Sequence, residues 1–246
     1  MTDLLDLPAE EAHVWLVRPD DIRDEARLGS YRALLSDDER ERYQRFHFDR
    51  HRHLFLVSRA LVRTTLSRYL GGAPASWTFE TNEYGRPELA AVHEPAGLRF
   101  NLSHARGLAG IVVTRSVDCG FDVEDVTRLE EPLALIERFF AAPEVTALRA
   151  LEPAERQERF FRYWTLKESY IKARGMGLAI SLGSFWFMLD GEEAPRIDFG
   201  PDQGDDPASW QFHSAREGDE HFLAVALRAS GEPFRITISM VVPGIA

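Results

Sequence analysis

Cysteine is nearly absent from this chain. Cys119 is the only one in 246 residues, which excludes an intramolecular disulfide and any cysteine-built metal centre. Lysine is almost as scarce: of 29 basic residues only Lys167 and Lys172 are lysines, and arginine is the cation everywhere else. Two compact ammonium groups five residues apart suggest a place that wants a flexible point charge, although chance usage explains the pair equally well. No run approaches the ~18–20 apolar residues that cross a bilayer, so no membrane span is expected. The opening Met1-Thr2-Asp3-Leu4-Leu5-Asp6 has neither a positive region nor an apolar core. No signal peptide is expected from it, and a cytoplasmic location is the default. A basic excess is missing too. The net charge of −11 argues against a broad nucleic-acid surface, while leaving room for a local basic pocket around a small phosphorylated ligand.

What is present is a core-forming composition, 44% hydrophobic and 28% charged, long enough for one large domain or two small ones. From His53 to Tyr69, the apolar positions Leu54, Val57, Leu61, Leu66 and Tyr69 have helical spacing, and Gly71-Gly72 then Pro74 end the pattern. Strand-like runs follow at Trp77–Phe79, Leu98–Leu102 and Leu108–Thr114, with a turn at Tyr84-Gly85-Arg86-Pro87. The second half repeats this order. Phe160–Ala173 reads as a helix closed by Gly175 and Gly177, and the runs Phe185–Phe187, Trp210–Phe212 and Phe222–Leu227 echo the earlier strands. The offset is about 108 to 114 residues. The pattern predicts a duplicated α+β unit jointed near Ser116–Cys119, with a natural ligand cleft between halves 1–117 and 118–246. The stretch from Gly200 to Pro207, with Asp202, Asp205 and Asp206, reads as a solvated loop.

Three segments carry chemistry. In Gly120-Phe121-Asp122-Val123-Glu124-Asp125, an extended chain puts Asp122 and Glu124 on one face and Asp125 on the other. Two carboxylates on one face invite a hard divalent cation, and Mg²⁺ commonly takes one or two carboxylates plus substrate phosphates. Taken alone, the segment reads more readily as a solvated acidic strand end. In Trp164-Thr165-Leu166-Lys167-Glu168-Ser169-Tyr170-Ile171-Lys172, Glu168 and Lys172 are helical neighbours one turn apart. An exposed pair there would be an ordinary surface ion pair. The apolar residues spread around that helix instead predict burial, where such a pair is more often functional. The third segment, Asn101-Leu102-Ser103-His104-Ala105-Arg106-Gly107, ends a strand in groups able to hold an anion. Ser103 and His104 are adjacent on a strand and face opposite ways, which disfavours a hydrolytic dyad.

Together these segments resemble the 4′-phosphopantetheinyl transferases of the surfactin-synthetase-activating, two-half type. That family's Gly-x-Asp-x-Glu strand stands here as Gly120–Glu124, and its Trp-x-x-Lys-Glu-Ser-x-x-Lys helix as Trp164–Lys172. Asp122 and Glu168 are 46 residues apart. The family's Asn-x-Ser-His segment is Asn101–His104, and its Glu-Tyr-Gly-Lys-Pro is Glu83-Tyr84-Gly85-Arg86-Pro87. The likeness runs from about Arg40 to Leu227. Phe121 departs from the usual Ile or Val, on the face away from the acids, and Arg86 departs from Lys.

The resemblance implies a pseudo-twofold α+β fold with coenzyme A in the cleft between halves. It implies Mg²⁺ on Asp122, Glu124 and Glu168, with Glu168 as general base and Lys172 as a phosphate ligand. Ser103 and His104 would hold the pyrophosphate end. Arg50 and Arg86 would grip the 3′-phosphate, with Arg52 as the alternative to Arg50. The expected reaction moves 4′-phosphopantetheine from coenzyme A to a serine of an apo acyl or peptidyl carrier protein. A monomer is expected. Carrier docking is expected near Phe139-Phe140 and the loop after Arg128, and Cys119 has no assigned role. The competing readings are a coenzyme A-binding relative without transfer activity and, more remotely, a Mg²⁺-dependent phosphohydrolase.

Overall fold

The computed structural model describes residues 4–128, 133–189, 191, 194–201, 204–229 and 231–244. The chain begins with strand β1 (Glu11–Val17) and three helices, α1 (Glu25–Leu34), α2 (Asp37–Arg45) and α3 (Asp49–Leu70). A short hairpin, β2 (Phe79–Thr81) and β3 (Pro87–Leu89), leads to β4 (Leu98–Ala105) and β5 (Leu108–Arg115). Then β6 (Cys119–Asp125) opens a second run of helices, α4 (Leu133–Phe139), α5 (Ala142–Arg149) and α6 (Pro153–Arg174). Another hairpin, β7 (Phe185–Met188) and β8 (Arg196–Phe199), precedes β9 (Trp210–Glu217), β10 (His221–Arg228) and β11 (Arg235–Met240).

The sheets confirm the duplicated α+β unit. The antiparallel order β1-β5-β4 recurs as β6-β10-β9. Helices α3 and α6 are both 22 residues long and start 104 residues apart, at 49 and 153. The last strand, β11, leaves its own half and joins β1 in parallel. Each half keeps a separate apolar core under its long helix, and a third cluster, including Val14, Val112, Phe121 and Val225, lies between the two sheets. Among the described residues no helix is long and apolar enough to cross a membrane.

The repeat extends to a buried ion pair. Arg63 and Lys167 hold the same place on α3 and α6, and both are fully buried. Arg63 pairs with Glu39 of α2 at 2.8 Å, and Lys167 with Glu144 of α5 at 2.8 Å. Each cation then donates to backbone carbonyls of the segment after its helix. Arg63 reaches Trp77 O at 2.8 Å, and Lys167 reaches Leu182 O at 2.8 Å and Phe185 O at 2.6 Å. One of the two rare ammonium groups is therefore an interior tether. Burial pushes Lys167 down to about 8 against the opposing pull of Glu144, and burial pushes Glu144 up. Lys167→Met would strand the Glu144 carboxylate in the core. A loss of about 3–5 kcal/mol is expected in a denaturant melt, with much of it recovered by adding Glu144→Gln.

The stretch 200–207 is not simply solvated. Asp205 has a side chain only 5% exposed and accepts from Tyr170 Oη at 2.8 Å, Arg174 Nη1 at 2.5 Å and Trp210 Nε1 at 3.1 Å. It ties this loop to the end of α6, because an acid beside three donors is cheaper to bury than its sequence neighbours suggest. Asp206 is exposed and caps a short helical turn, and Asp202 lies outside the described residues.

Candidate active site

The cleft forms where β6 lies against α6 on one side and β4 on the other. Gly120 makes the first contact possible. A Cβ there would stand 1.9 Å from Ser169 O and 2.5 Å from Ala173 N, so only glycine lets this strand touch this helix backbone. Asn101 of β4 fixes the other contact, its Oδ1 accepting from Phe121 N at 2.9 Å. Phe121 then points away from the cleft into the inter-sheet core, and Gly110 leaves room for its ring. The strand's alternation does the rest, sending Asp122 and Glu124 into a cavity of about 460 Å³ with Ser103, His104, Trp164, Glu168 and Lys172.

Asp122 is the hub. Its Oδ1 accepts from Lys172 Nζ at 2.6 Å and Ser103 Oγ at 2.9 Å, and Lys172 also reaches Ser103 Oγ at 2.8 Å. Its Oδ2 is buried and has no hydrogen-bond partner. Lys172 thus makes its ion pair with Asp122, across the cleft from its helical neighbour Glu168. Glu124 Oε1 accepts from Trp164 Nε1 at 3.0 Å. Burial, then repulsion from Asp122, raises the Glu168 pKa, with Lys172 pulling the other way. The protein packed around the His104 ring, then the cations Lys172, Arg59 and Arg42, hold that imidazole below the ordinary histidine range. Asp125 faces away and is bonded to Thr127 and Arg106.

Among the described residues no group of three or more His, Cys, Asp or Glu side chains is placed to hold a metal ion by itself. The donors that converge are carboxylate oxygens, and one of them, Asp122 Oδ2, is buried with its lone pairs unused. That set fits a hard divalent cation of the Mg²⁺ kind, which needs only one or two protein carboxylates when a phosphate completes its shell.

A second cavity, of about 690 Å³, adjoins the first through Arg59 and His104. Arg42, Arg50, Arg59 and Arg106 line it with His51 and His53, against the single acid Asp20. In a chain of net charge −11 this concentrates positive charge where an anion would enter. Arg50 lies in this wall. Arg52 is turned aside, bonded to Asp49 Oδ1 at 2.7 Å and Phe46 O at 2.6 Å.

Arg86 lies apart from both of these cavities. Its side chain is only 7% exposed, and its guanidinium donates to Ala173 O at 2.8 Å and Cys119 O at 3.1 Å. It lines a separate cavity of about 230 Å³ with Glu88 and Arg99, while its guanidinium satisfies a helix-end carbonyl that has no intrahelical donor. The docking pair also divides: Phe139 is 40% exposed, while Phe140 is core, stacked with Phe160 and Trp164. Of the loop after Arg128, residues 129–132 lie outside the described residues. Sequence reasoning missed Arg59, which links the cavities. The signal was a charged residue inside the mostly apolar stretch from Phe55 to Val62.

Known proteins resemble the chain on both halves. A model of the 4′-phosphopantetheinyl transferase superfamily matches residues 118–226, and one described as 4′-phosphopantetheinyl transferase, N-terminal, matches 24–116. The chain is 38% identical to the 4′-phosphopantetheinyl transferase HetI of a Nostoc species, over 92% of each chain. It is 31% identical to a 4′-phosphopantetheinyl transferase of Bacillus subtilis, over 86% of this chain and 89% of that one. A solved holo-(acyl-carrier-protein) synthase from Bacillus anthracis overlaps 46% of this chain and 98% of its own, at 22% identity and TM-score 0.38. The chain belongs to the 4′-phosphopantetheinyl transferase family.

Proposed function

We propose that this chain transfers 4′-phosphopantetheine from coenzyme A to a serine of an acyl or peptidyl carrier protein and releases adenosine 3′,5′-bisphosphate. The observation that carries this reading is the meeting of Asp122, Glu124, Glu168 and Lys172 in one cleft that opens into an arginine-lined cavity. The nucleotide end of coenzyme A suits the basic cavity, and its pyrophosphate suits the cleft. There Lys172 serves as a point charge, and Ser103 and His104 as further polar contacts. Glu168 takes the proton as the carrier serine Oγ bonds to the β-phosphorus. The bond from that phosphorus to the bridging oxygen breaks, and the nucleotide bisphosphate leaves with the electron pair. Asp122, Glu124 and Glu168 would hold Mg²⁺, which supplies charge neutralisation at the pyrophosphate. In this reading residues 1–117 and 118–246 are the two halves, acting as a monomer in the cytoplasm.

Intact-mass analysis of a panel of apo carriers, incubated with the protein, coenzyme A and either Mg²⁺ or EDTA, tests the reading. Phosphopantetheine should be added to at least one carrier, with Mg²⁺ only. Thermal stabilisation by coenzyme A without carrier modification would instead mark a binder, and turnover without carrier would mark a hydrolase.

Arg50 tests the basic cavity. Arg50→Ala should weaken coenzyme A more than 3′-dephospho-coenzyme A in calorimetry. Because Arg50 is exposed, the difference should be modest, about 1–2 kcal/mol or roughly five- to thirtyfold. Equal weakening of both ligands would remove Arg50 from the 3′-phosphate.

A further inference from the structure

We infer that Arg86 is a positioning residue: its buried guanidinium clamps strand β6 to helix α6 and so sets the spacing of the Asp122–Lys172 pair. The inference rests on the proposed reaction only for its kinetic consequence.

Three independent contacts converge on this clamp. Arg86 Nη1 donates to Ala173 O, the residue after Lys172, and Nη2 donates to Cys119 O, three residues before Asp122. One planar fork therefore joins the two backbones that carry the two ends of the ion pair. Beneath it, Gly120 has no room for a Cβ against Ser169 O and Ala173 N, so strand and helix are in backbone contact with no side chain to act as spacer. The turn that presents Arg86 is itself anchored. Asn82 Oδ1 accepts from Arg86 N at 2.9 Å, and its Nδ2 donates to Gly175 O at 2.9 Å. Gly175, at φ +65°, closes α6 and lies close enough that an added Cβ would stand 3.0 Å from Asn82 Nδ2 and 3.1 Å from Arg86 Cδ.

The chemistry suits arginine. The last carbonyls of a helix have no intrahelical donor and carry the negative end of its dipole, so a cation there is favoured. Two carbonyls on different elements need two donors in one rigid plane. A guanidinium supplies that geometry, and a single ammonium does not. The hairpin of the first half thus holds together the catalytic strand and helix of the second.

The test compares Arg86→Lys and Arg86→Ala with Arg63→Lys, which weakens the buried tether to Glu39 in the other half. Each is measured by thermal melt, by amide exchange over residues 119–123, and by transfer kinetics below every melting point. The clamp predicts faster exchange over 119–123 in both Arg86 variants and not in Arg63→Lys. It also predicts a kcat lower by about tenfold or more, since small misplacements of reacting groups have effects of that size. The ratio of affinities for coenzyme A and 3′-dephospho-coenzyme A should stay within roughly twofold of wild type, because no phosphate contact is removed. A collapse of that ratio would make Arg86 a phosphate ligand and overturn the proposal. So would a kcat and an exchange rate in Arg86→Lys that fall in line with Arg63→Lys at equal melting loss. If the wild-type protein modifies no carrier, the reaction is wrong, and the exchange comparison still decides the clamp.

Discussion

Asp122→Asn is expected to abolish transfer while the protein stays folded. The substitution keeps the shape, and an amide oxygen can still accept from Ser103 Oγ, now at 2.9 Å from Oδ1. What it removes is the charge. In the wild type that charge meets Lys172 Nζ at 2.6 Å and leaves a second, buried oxygen with no partner. A buried carboxylate oxygen without a donor is costly unless a cation or ligand meets it, and Asp122 lines the same cavity as Glu124 and Glu168. Losing one preorganised charge from a closed site typically lowers kcat by about 10²–10³. In the proposed role of metal ligand, Asp122 should sit at or beyond the upper end of that range. Lys172 is only 27% exposed and loses its counter-charge, so it should bind the pyrophosphate anion no more weakly than before. The expected signature is therefore lost kcat with retained coenzyme A binding and a melt close to wild type. Near wild-type turnover in Asp122→Asn would sink the assignment of the cleft.

The two halves explain why only one cleft has this chemistry. Ile111 and Ala224 are each the fourth residue of their strands, and they pair with Trp15 and Asp122 respectively. Trp15 is thus the first-half counterpart of Asp122, and His13 that of Gly120. On the helices, Arg68 stands where Lys172 stands, and Thr64 where Glu168 stands. Arg68 still packs over its strand partner, 4.0 Å above the Trp15 ring, but the partner is an indole. Tyr69 closes the space by bonding to both Trp15 Nε1 at 2.8 Å and His13 Nδ1 at 2.7 Å. The strand–helix contact recurs in both halves as a cation over β1 or β6. Carboxylates and a close-contact glycine remain in the second only.

That comparison also shows what could be read from the sequence. The acids of β6 and the Glu–Lys turn of α6 were legible because both lie within single elements, where period 2 and period 3.6 fix which side chains share a face. The order of the repeat was legible for the same reason, as a sequence of local patterns. The parallel pairing of β11 with β1 was not, because more than 200 residues separate Glu11 from Arg235 and no local pattern encodes such a partner. The basic cavity was hidden likewise, being assembled from α2, α3 and the β4–β5 turn. The backbone contacts of Arg86 were not legible, because its charge suggested a phosphate and no local pattern encodes a guanidinium meeting the carbonyls of Ala173 and Cys119. Lys167 and Lys172 looked alike in sequence. One turn and a half of helix places one in the core and the other in the cleft.

Glu168→Gln is expected to separate base from binder. Glutamine keeps the size and one oxygen but cannot take a proton near neutral pH, so kcat should fall by about 10²–10⁴, the usual range for losing a general base. Coenzyme A should still bind, since the proposed function draws its phosphate contacts from Lys172, Ser103 and the basic cavity. Stability should move the other way. Burial and then Asp122 raise the Glu168 pKa, so the folded state holds its proton more tightly than the unfolded chain does. Wild-type stability from this group is present below the unfolded pKa and is lost as pH rises through the folded one. Glutamine has no such loss. Without metal, the variant should melt at or above wild type at pH 7, and the gap should close as pH falls below the ordinary glutamate range. Lys172→Ala should behave differently: a raised KM for coenzyme A, with kcat lowered only as far as that contact tightens when charge develops. Were Glu168 and Lys172 only a surface pair, both variants would keep wild-type rates and shift stability by a few tenths of a kcal/mol. Steady-state kinetics with melts across pH decide between these patterns, and full activity in Glu168→Gln would remove it as the base.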